Sequence, residues 1–478
     1  MAPDAGDEPA TPWLGVATAG YAVEGGCNWP HEPANDWVQW ERSGLVPPSG
    51  KAADFWRHPE PLLDRAAAIG CDAFGLSVEW SRIEPDDGRV DAAALDRYGQ
   101  ILAACAERGL TPVVTLHHQV HPWWLGEEYW LTPGSPDRFA CHVARVVEHL
   151  GARCRQWVTL HEPNLRAAAG WVVAAEPPAR VGALADAWAV WDNLLTAHVL
   201  AYEALHRAQP DAQVTVAPRA SSVYDCHQLL VDLLCARHWG VPREGLDRWL
   251  AGRRAAHDRA VPPAGPAETA LRFAVAVTSP FGAGPDLLRR ATGRVLRRPS
   301  PHRGVEAVFT GAHRLPLDAV AVSWQQPVPG RLFRVPTAGG VGRGPAAPWL
   351  RRPWEVPPDP TGLAAWCHRQ AEATPGLPLW VVDDGLATDP AGRPRVDGWD
   401  RARYLDEHVQ AVLPGGPGAR VGADAGSHAE VARAGVAGYL YRSISDGYEP
   451  DGARRGLDDA GAAAFGALAA ERTAERIL

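Results

Sequence analysis

The segment Arg155–His161, Arg-Gln-Trp-Val-Thr-Leu-His, is one of the strand candidates on which the fold prediction rests. It is a short run rich in apolar and β-branched residues, and Glu162 and Pro163 follow it directly. Similar runs occur along the chain at 13–18, 72–78, 111–117, 213–218, 318–324, 378–383 and 436–442, each followed by a helix-like stretch. Eight strands that alternate with helices predict an α/β fold, and eight is the number that closes a parallel (β/α)8 TIM barrel.

The helical stretches between these runs have apolar residues at helical spacing. The clearest are Asp91–Glu107 and Leu184–Ala208. The fifth and sixth strand candidates are much further apart than one crossover helix requires, and Pro-Gly clusters lie between them. We therefore expect a single barrel domain over residues 1–478, enlarged by an insertion at about 220–315.

Composition limits the class of protein and its partners. The chain has 478 residues, 46 % hydrophobic and 22 % charged, which is typical of a soluble globular protein. Its net charge of −9 argues against nucleic acid as a partner. No apolar run is long enough to span a membrane, and the start of the chain lacks the features of a signal peptide. We expect a cytoplasmic protein with a small-molecule substrate, and the oligomeric state is left open.

In a parallel barrel the active site lies at the carboxyl ends of the strands, so the polar residues there are the candidates. They include Glu79, His117, His118, Gln119, His161, Glu162, Ser323, Trp324, Gln325, Asp383, Asp384, Arg442, Asp446 and Glu449. Carboxylates on opposite sides of a barrel mouth are the equipment for cleaving a glycosidic bond. One is protonated and donates to the leaving oxygen, and the other is charged and faces the oxocarbenium-like centre.

Several segments resemble glycoside hydrolase family 1, the β-glucosidase family of retaining barrels. They are 13–25 (Trp-Leu-Gly-Val-Ala-Thr-Ala-Gly-Tyr-Ala-Val-Glu-Gly), 77–85 (Ser-Val-Glu-Trp-Ser-Arg-Ile-Glu-Pro), 114–118 (Val-Thr-Leu-His-His), 157–163 (Trp-Val-Thr-Leu-His-Glu-Pro), 354–356 (Trp-Glu-Val), 378–388 (Pro-Leu-Trp-Val-Val-Asp-Asp-Gly-Leu-Ala-Thr) and 438–449 (Gly-Tyr-Leu-Tyr-Arg-Ser-Ile-Ser-Asp-Gly-Tyr-Glu). The resemblance implies that Glu162 is the general acid/base and that Asp383 occupies the position of the nucleophile. It also implies substrate-binding roles for His118, Gln119, His161, Gln325, Arg442 and Glu449.

The site differs from the family 1 pattern at most of its contact positions. Of the main contacts, His118, Glu162 and Glu449 are kept, while the nucleophile, which the family makes Glu, is Asp383. The other family contacts are replaced: Gln by Ala22, Arg by Gly75, Trp by Gln119, Asn by His161, Tyr by Gln325, and two Trp residues by Arg442 and Pro450. An ordinary glucose pocket is therefore not expected.

Asp383 is one methylene shorter than Glu, which withdraws the carboxylate by ~1.3 Å, and a ~1 Å misplacement costs ~100-fold in a near-attack geometry. The same withdrawal widens a retaining gap of ~5–5.5 Å towards the inverting range of ~6.5–9.5 Å. We rank a stabilising or basic role above a nucleophilic one, with Asp384 as the alternative in register. Strand eight neighbours strand seven, so Arg442 either pairs with Asp383, clamps a substrate anion or points to the surface.

No metal or cofactor is expected, because His117, His118, His121 and His161 lack the spacing of a metal motif. The favoured function is cleavage of an O-glycosidic bond in an unusual sugar or a glycosylated small molecule, and the expected substrate is a glycoside or an anionic compound. The alternatives are non-hydrolytic biosynthetic chemistry, such as glycosyl transfer, cyclisation or elimination, and a catalytically silent binding protein. Retention of Glu162 together with a carboxylate at Asp383 argues against silence.

Overall fold

A computed structural model describes residues 12–281, 302–325, 351–412, 436–449 and 453–475. Strands form at all eight of the predicted runs. They are β1 (Trp13–Ala17), β2 (Ala73–Ser77), β3 (Thr111–Thr115), β4 (Gln156–His161), β5 (Gln213–Ala217), β6 (Val320–Trp324), β7 (Leu379–Asp384) and β8 (Val436–Arg442). The order of neighbours in the sheet is β5-β4-β3-β2-β1-β8-β7-β6, and every pair is parallel. The predicted fold class, a (β/α)8 TIM barrel, is confirmed.

Closure between β5 and β6 relies on a few backbone contacts. Near the start of the strands Asp318 N donates to Val214 O at 2.9 Å, and near their end Ser323 N donates to Pro218 O at 3.0 Å. Ala220 N then donates to Ser323 O at 2.8 Å. The barrel is therefore nearly closed, and the residues just after β5 are held beside the end of β6.

Helices surround the barrel. The α-helices are Gly20–Val23, Val38–Arg42, Glu60–Ala68, Trp80–Ile83, Ala92–Glu107, Ser135–Leu150, Pro163–Trp171, Leu184–Ala208, Gln228–Ala236, Leu246–Ala260, Pro266–Thr278, Arg303–Thr310, Pro360–Ala373, Arg401–Val412 and Asp459–Glu475. Short 3-10 turns occur at Trp123–Leu125, Tyr129–Leu131, Gly151–Arg153, Tyr224–Cys226, Arg243–Gly245 and Pro353–Glu355. The two predicted helices form; the first begins after Asp91, whose side chain accepts from Ala94 N at 3.1 Å as an N-cap.

The long connection between β5 and β6 contains helices over Gln228–Ala236, Leu246–Ala260, Pro266–Thr278 and Arg303–Thr310. The predicted insertion at about 220–315 covers this connection, and its part from 282 to 301 lies outside the described residues. The single-domain organisation stays a prediction. Among the described helices, none combines the length and the apolar character that crossing a membrane requires.

The interior of the barrel is filled by side chains from the strands. A buried cluster comprises Ala17, Ala73, Val113, Val158, Ala217, Ala319, Ala321, Trp380, Val382 and Leu440. At Gly75, a Cβ atom would lie 2.8 Å from Leu440 Cδ1 and 3.1 Å from Ala17 Cβ. The side chain of Leu440 on β8 therefore occupies the space that a longer side chain at Gly75 would need, and the barrel interior is a packed core.

Candidate active site

The barrel mouth is the end formed by the carboxyl ends of the strands, and the predicted carboxylates both lie there. Glu162 follows the last residue of β4, and Asp383 is the penultimate residue of β7. The register between β6 and β7 shifts after Val322, so that Ser323 pairs with Asp383. The Ser323 hydroxyl also donates to Glu162, so this residue of β6 is paired with Asp383 through the sheet register and bonded to Glu162 through its side chain.

The backbone at Glu162 has a left-handed conformation, with φ 49° and ψ 48°. Such a conformation is unfavourable for a non-glycine residue and persists only when the surroundings impose it. Here Glu162 N donates to Ala217 O at 2.7 Å, and Pro163 begins the next helix. The sharp turn between strand and helix therefore fixes the Glu162 side chain at the mouth.

The Glu162 carboxylate is paired with an arginine that the sequence analysis missed. Arg219 Nη1 lies 3.2 Å from Glu162 Oε1 and 3.3 Å from Oε2, and Ser323 Oγ donates to Oε1 at 2.5 Å. Burial raises the pKa of Glu162, but Arg219, His161 and the serine hydroxyl outweigh burial, so the net pKa lies below the usual range. Glu162 is therefore ionised at neutral pH.

Asp383 is the most strongly charge-stabilised group at the mouth. Arg442 Nη1 donates to Oδ2 at 3.0 Å, Gln325 Nε2 donates to Oδ1 at 2.6 Å, and His161 Nε2 lies 3.1 Å from Oδ2. Burial raises the pKa of Asp383, but the Arg442 guanidinium and the nearby imidazoles hold it well below its ordinary value. Asp383 therefore remains a carboxylate throughout the physiological range.

Arg442 holds two carboxylates at once. Besides Asp383, its Nη2 donates to Glu449 at 2.9 Å (Oε1) and 3.0 Å (Oε2), and Arg455 Nη1 lies 3.0 Å from Glu449 Oε2. The Arg442 side chain is only 13 % exposed. Of the three alternatives for this residue, the contacts match pairing with Asp383 and not a surface position.

His118, His161 and Asp383 form a group that could hold a metal ion, with one potential ligand atom from each within 4.8 Å of the others. The two imidazole rings are stacked, with centroids 4.0 Å apart and planes 14° apart. The Arg442 guanidinium already binds Asp383, so a cation would have to displace a positive charge from this carboxylate. The chemistry of the group fits a charge-paired site better than a metal site.

The first half of the chain is similar in sequence to known proteins. Residues 9–239 match the sequence profile of glycosyl hydrolase family 1. β-Glucosidase 6 from Oryza sativa subsp. japonica is 27 % identical over 230 residues, 43 % of each chain. 6-Phospho-β-galactosidase 1 from Streptococcus pneumoniae is 30 % identical over 232 residues, which are 48 % of this chain and 49 % of that enzyme. The resemblance to family 1 is confirmed.

This sequence likeness to family 1 is partial in length. The chain spans about half the length of the curated relatives it matches. The matched part, 9–239, contains His118, Gln119, His161 and Glu162, whereas Asp383 and the other predicted site residues lie beyond it. The profile match therefore covers the segment that contains Glu162 and does not extend to Asp383.

Solved structures extend the likeness of fold to nearly the whole chain. The β-glucosidase from Thermotoga maritima in complex with castanospermine aligns with a TM-score of 0.68, covering 97 % of this chain and 98 % of that one at 18 % identity. The AHE enzyme from Alicyclobacillus herbarius gives 0.68, with 98 % of both chains covered at 19 % identity. At such identities the likeness shows the barrel fold alone.

Asp384, the alternative to Asp383 in the family 1-like segment, has different surroundings. It is fully buried, and its carboxyl group accepts hydrogen bonds from the hydroxyls of Tyr404 and Tyr439, the latter at 2.7 Å. Burial raises the pKa of Asp384 to about 7, against the lowering effect of both tyrosines. These contacts tie the end of β7 to Tyr404 and Tyr439, whereas Asp383 contacts Arg442, Gln325 and His161.

Five of the predicted site residues therefore cluster around Asp383, and Gln119 lies beside Glu176. His118, His161, Gln325, Arg442 and Glu449 surround Asp383 directly or through one another. Gln119, with φ 70°, lies beside Glu176, and their Nε2 and Oε1 atoms are 3.4 Å apart. Pro450, another replaced family 1 contact, lies outside the described residues.

Arg219 and Glu176 are the residues that sequence reasoning missed. Arg219 stands two residues after the end of β5, so the rule that located the other candidates would also have found it. Glu176 lies in the segment that follows the helix Pro163–Trp171, far from any strand end in sequence. Only the folded path of that segment brings it to the mouth.

Proposed function

We propose that this protein hydrolyses an O-glycosidic bond of a small-molecule glycoside at the barrel mouth. The observation that carries the proposal is the pair of buried carboxylates, Glu162 and Asp383, at the ends of β4 and β7, each held by its own arginine. The family 1 likeness of the half that contains Glu162 supports the same reaction class. Among the relatives are enzymes named β-glucosidase and 6-phospho-β-galactosidase.

Asp383 acts as an electrostatic stabiliser in this proposal. Glycoside cleavage develops positive charge at the anomeric carbon, and a fixed carboxylate opposite that carbon lowers the barrier. Arg442 donates to one oxygen of the Asp383 carboxylate and Gln325 donates to the other, and His161 Nε2 lies 3.1 Å from the first, so both oxygens have partners. The contacts support a stationary charge more than a nucleophile that must advance on the sugar.

Glu162 is the carboxyl group that the resemblance assigns to acid/base catalysis. In the unliganded protein its pKa is low, because Arg219 and Ser323 favour the charged form more than burial disfavours it. A carboxylate in this state is suited to accept a proton from a water molecule. We propose that Glu162 performs this basic half of the reaction.

A neutral glycoside suits this mouth better than an anionic one. The Arg442 guanidinium, for which an anion clamp is one of the three alternatives, is engaged on one side by Asp383 and on the other by Glu449. An anionic substrate group would have to displace one of these buried carboxylates. We therefore propose a substrate that presents hydroxyl groups to Arg442 and Glu449.

Release of nitrophenol from a panel of nitrophenyl β-glycosides tests the proposal. The wild type should release nitrophenol from at least one sugar, and Asp383→Asn and Glu162→Gln should each lower kcat by about 100-fold or more. Arg89→Gln, which alters an exposed ion pair between Arg89 and Asp86, is the control and should retain full activity. Absence of release from every sugar would refute hydrolysis, and transfer of the sugar to an acceptor without hydrolysis would favour the biosynthetic alternative.

A further inference from the structure

We propose that Glu176 is the proton donor to the leaving group, a role that neither the resemblance nor the pair of strand-end carboxylates assigns to it. This inference rests on the proposed glycoside hydrolysis and adds a third carboxyl group to the site. A glycosidic oxygen leaves readily only when it is protonated, so one group at the mouth must be an acid at working pH. Glu162 and Asp383 are both held as carboxylates by arginines.

The backbone around Glu176 is packed firmly onto the helix that begins directly after Glu162. Ala179 N donates to Glu176 O at 2.8 Å, and Arg180 N donates to Gly170 O at 2.8 Å. A Cβ atom on Gly170 would lie 2.9 Å from Pro177 O, so the segment approaches the helix as closely as a glycine allows. Glu176 is therefore positioned by the same helix that carries Glu162 at its N-terminal end.

The Glu176 side chain faces residues of the mouth and retains access to it. Its Oε1 lies 3.4 Å from Gln119 Nε2, next in the chain to His118. Its Oε2 lies 3.3 Å from Arg166 Nη1. With 13 % of the side chain exposed, Glu176 is largely withdrawn from water but still reachable by a ligand.

Glu176 is compensated less fully than Glu162, because Arg166 contacts it through one nitrogen to one oxygen. Arg166 is shared between two carboxylates: its Nη2 makes a closer hydrogen bond to the buried Asp36 than its Nη1 makes to Glu176. Glu162, by contrast, receives Arg219 on both oxygens as well as the Ser323 hydroxyl. An excess of negative charge in a poorly hydrated region is relieved by protonating the least compensated group.

The electrostatics of Glu176 agree with this assignment. Burial raises its pKa to about 7, Arg166 opposes the rise, and the negative charge of Glu162 adds to it. A general acid works best when its pKa is near the working pH, because it is then both protonated and a strong enough donor. Raised and lowered pKa values on neighbouring carboxyl groups are how acid and base roles are divided in such sites.

The proposed steps conserve protons and electrons. The bond between the anomeric carbon and the leaving oxygen breaks, its electron pair goes to that oxygen, and the Glu176 proton is transferred to it. A water molecule forms the new bond to the anomeric carbon and gives a proton to the Glu162 carboxylate. That proton passes to solvent and Glu176 regains one from solvent, so the net reaction is hydrolysis.

Leaving groups of different acidity test the donor role. Glu176→Gln should lower kcat on alkyl or phenyl β-glycosides by about 100- to 10,000-fold, the range typical of a lost general acid. With dinitrophenyl β-glycosides, whose leaving group needs no proton, the same variant should stay within a few-fold of the wild type. Glu128→Gln is the matched control, since Glu128 is an exposed carboxylate paired with Arg180 of the same segment.

The pH dependence of cleavage and carboxyl ¹³C NMR distinguish a proton donor from a residue with a purely structural role. In the wild type, cleavage of poor leaving groups should decline above pH about 7, where Glu176 loses its proton, and Glu176→Gln should abolish this decline. In ¹³C-glutamate-labelled protein, the resonance missing from Glu176→Gln should titrate near neutral pH. The resonance missing from Glu162→Gln should titrate below the ordinary range of glutamate.

Two results would overturn the assignment while leaving the proposed hydrolysis intact. One is a Glu176→Gln variant as active as the wild type on poor leaving groups. The other is a titration in which Glu162 has the near-neutral pKa and Glu176 the low one. If the wild type cleaves no glycoside, the proposed function fails first and the donor assignment fails with it, which distinguishes the two kinds of failure.

Discussion

Arg442→Gln should strongly destabilise the protein, because this guanidinium compensates two carboxylates in the barrel mouth. Its Nη1 lies 3.0 Å from Asp383 and its Nη2 lies 2.9 and 3.0 Å from the two oxygens of Glu449. The three side chains are 13 %, 2 % and 10 % exposed, so water cannot replace the lost cation fully. Removing one partner of a buried pair costs about 3–5 kcal/mol, and we expect a loss of free energy of unfolding in that range.

Urea unfolding of wild type, Arg442→Gln and Arg89→Gln at constant pH measures this loss. Arg89 pairs with Asp86 at 2.9 Å, but the two side chains are 59 % and 69 % exposed. An exposed pair contributes about 0–1 kcal/mol, so Arg89→Gln should change the free energy of unfolding by less than about 1 kcal/mol. If Arg442→Gln is as mild as this control, the Arg442 pairing does not stabilise the barrel mouth and the reasoning is refuted.

The same unfolding experiment at several pH values tests the direction in which the Asp383 contribution to stability changes with pH. The pKa of Asp383 is depressed in the folded wild type, where Arg442 and the imidazoles outweigh burial. Its contribution to stability is therefore present above the unfolded pKa of about 3.9 and is lost as the pH falls below that value. The difference between wild type and Arg442→Gln should be full near neutral pH and should shrink below about pH 4.

Three further predictions test other parts of the structure. Adding Arg219→Gln to the Glu176→Gln variant should restore part of the activity on poor leaving groups. Without Arg219 the pKa of Glu162 rises, so Glu162 becomes able to hold a proton. His206→Gln should destabilise the protein by up to about 1 kcal/mol near pH 5.5 and by less near pH 9. The hydrogen bond to Asp318 raises the pKa of His206, so its contribution is full below about 6.5 and is lost as the pH rises through the raised value. Gly438→Ala should lower the midpoint of urea unfolding by the equivalent of about 1–3 kcal/mol, since a Cβ there would lie 2.0 Å from a tryptophan ring of β1.

The barrel could be predicted from sequence because its strands are short apolar runs whose length and spacing repeat. The match is close at β4, predicted over 155–161 and observed over Gln156–His161, and at β8, predicted and observed over Val436–Arg442. The sequence also shows that Gly75 stands where the family has an arginine. It does not show that Leu440 occupies the space beside Gly75, because Leu440 belongs to a strand far away in the chain.

The site could be predicted only where a residue's position depends on a strand end. Glu162 and Asp383 are candidates by that rule, and the pairing of Arg442 with Asp383 is one of the three alternatives considered for a residue on the strand next to strand seven. The register shift that sets Ser323 opposite Asp383 has no sequence signal. Nor does the path of the segment containing Glu176, which depends on tertiary packing against the preceding helix.

The charge pattern at the mouth limits what the substrate can be. An anionic substituent that used Arg442 would have to compete with Asp383 or Glu449, and displacing Asp383 would separate a buried carboxylate from its arginine, whereas Glu449 would keep Arg455. At about 3–5 kcal/mol for such a loss, binding would weaken by about 100- to 4,000-fold relative to a neutral group of the same shape. A neutral sugar avoids this cost, and its anomeric carbon becomes positive only in the transition state, when the Asp383 carboxylate stabilises it. On the proposed function, the arrangement therefore disfavours binding of an anionic group at Arg442 and stabilises the transition state of a neutral glycoside.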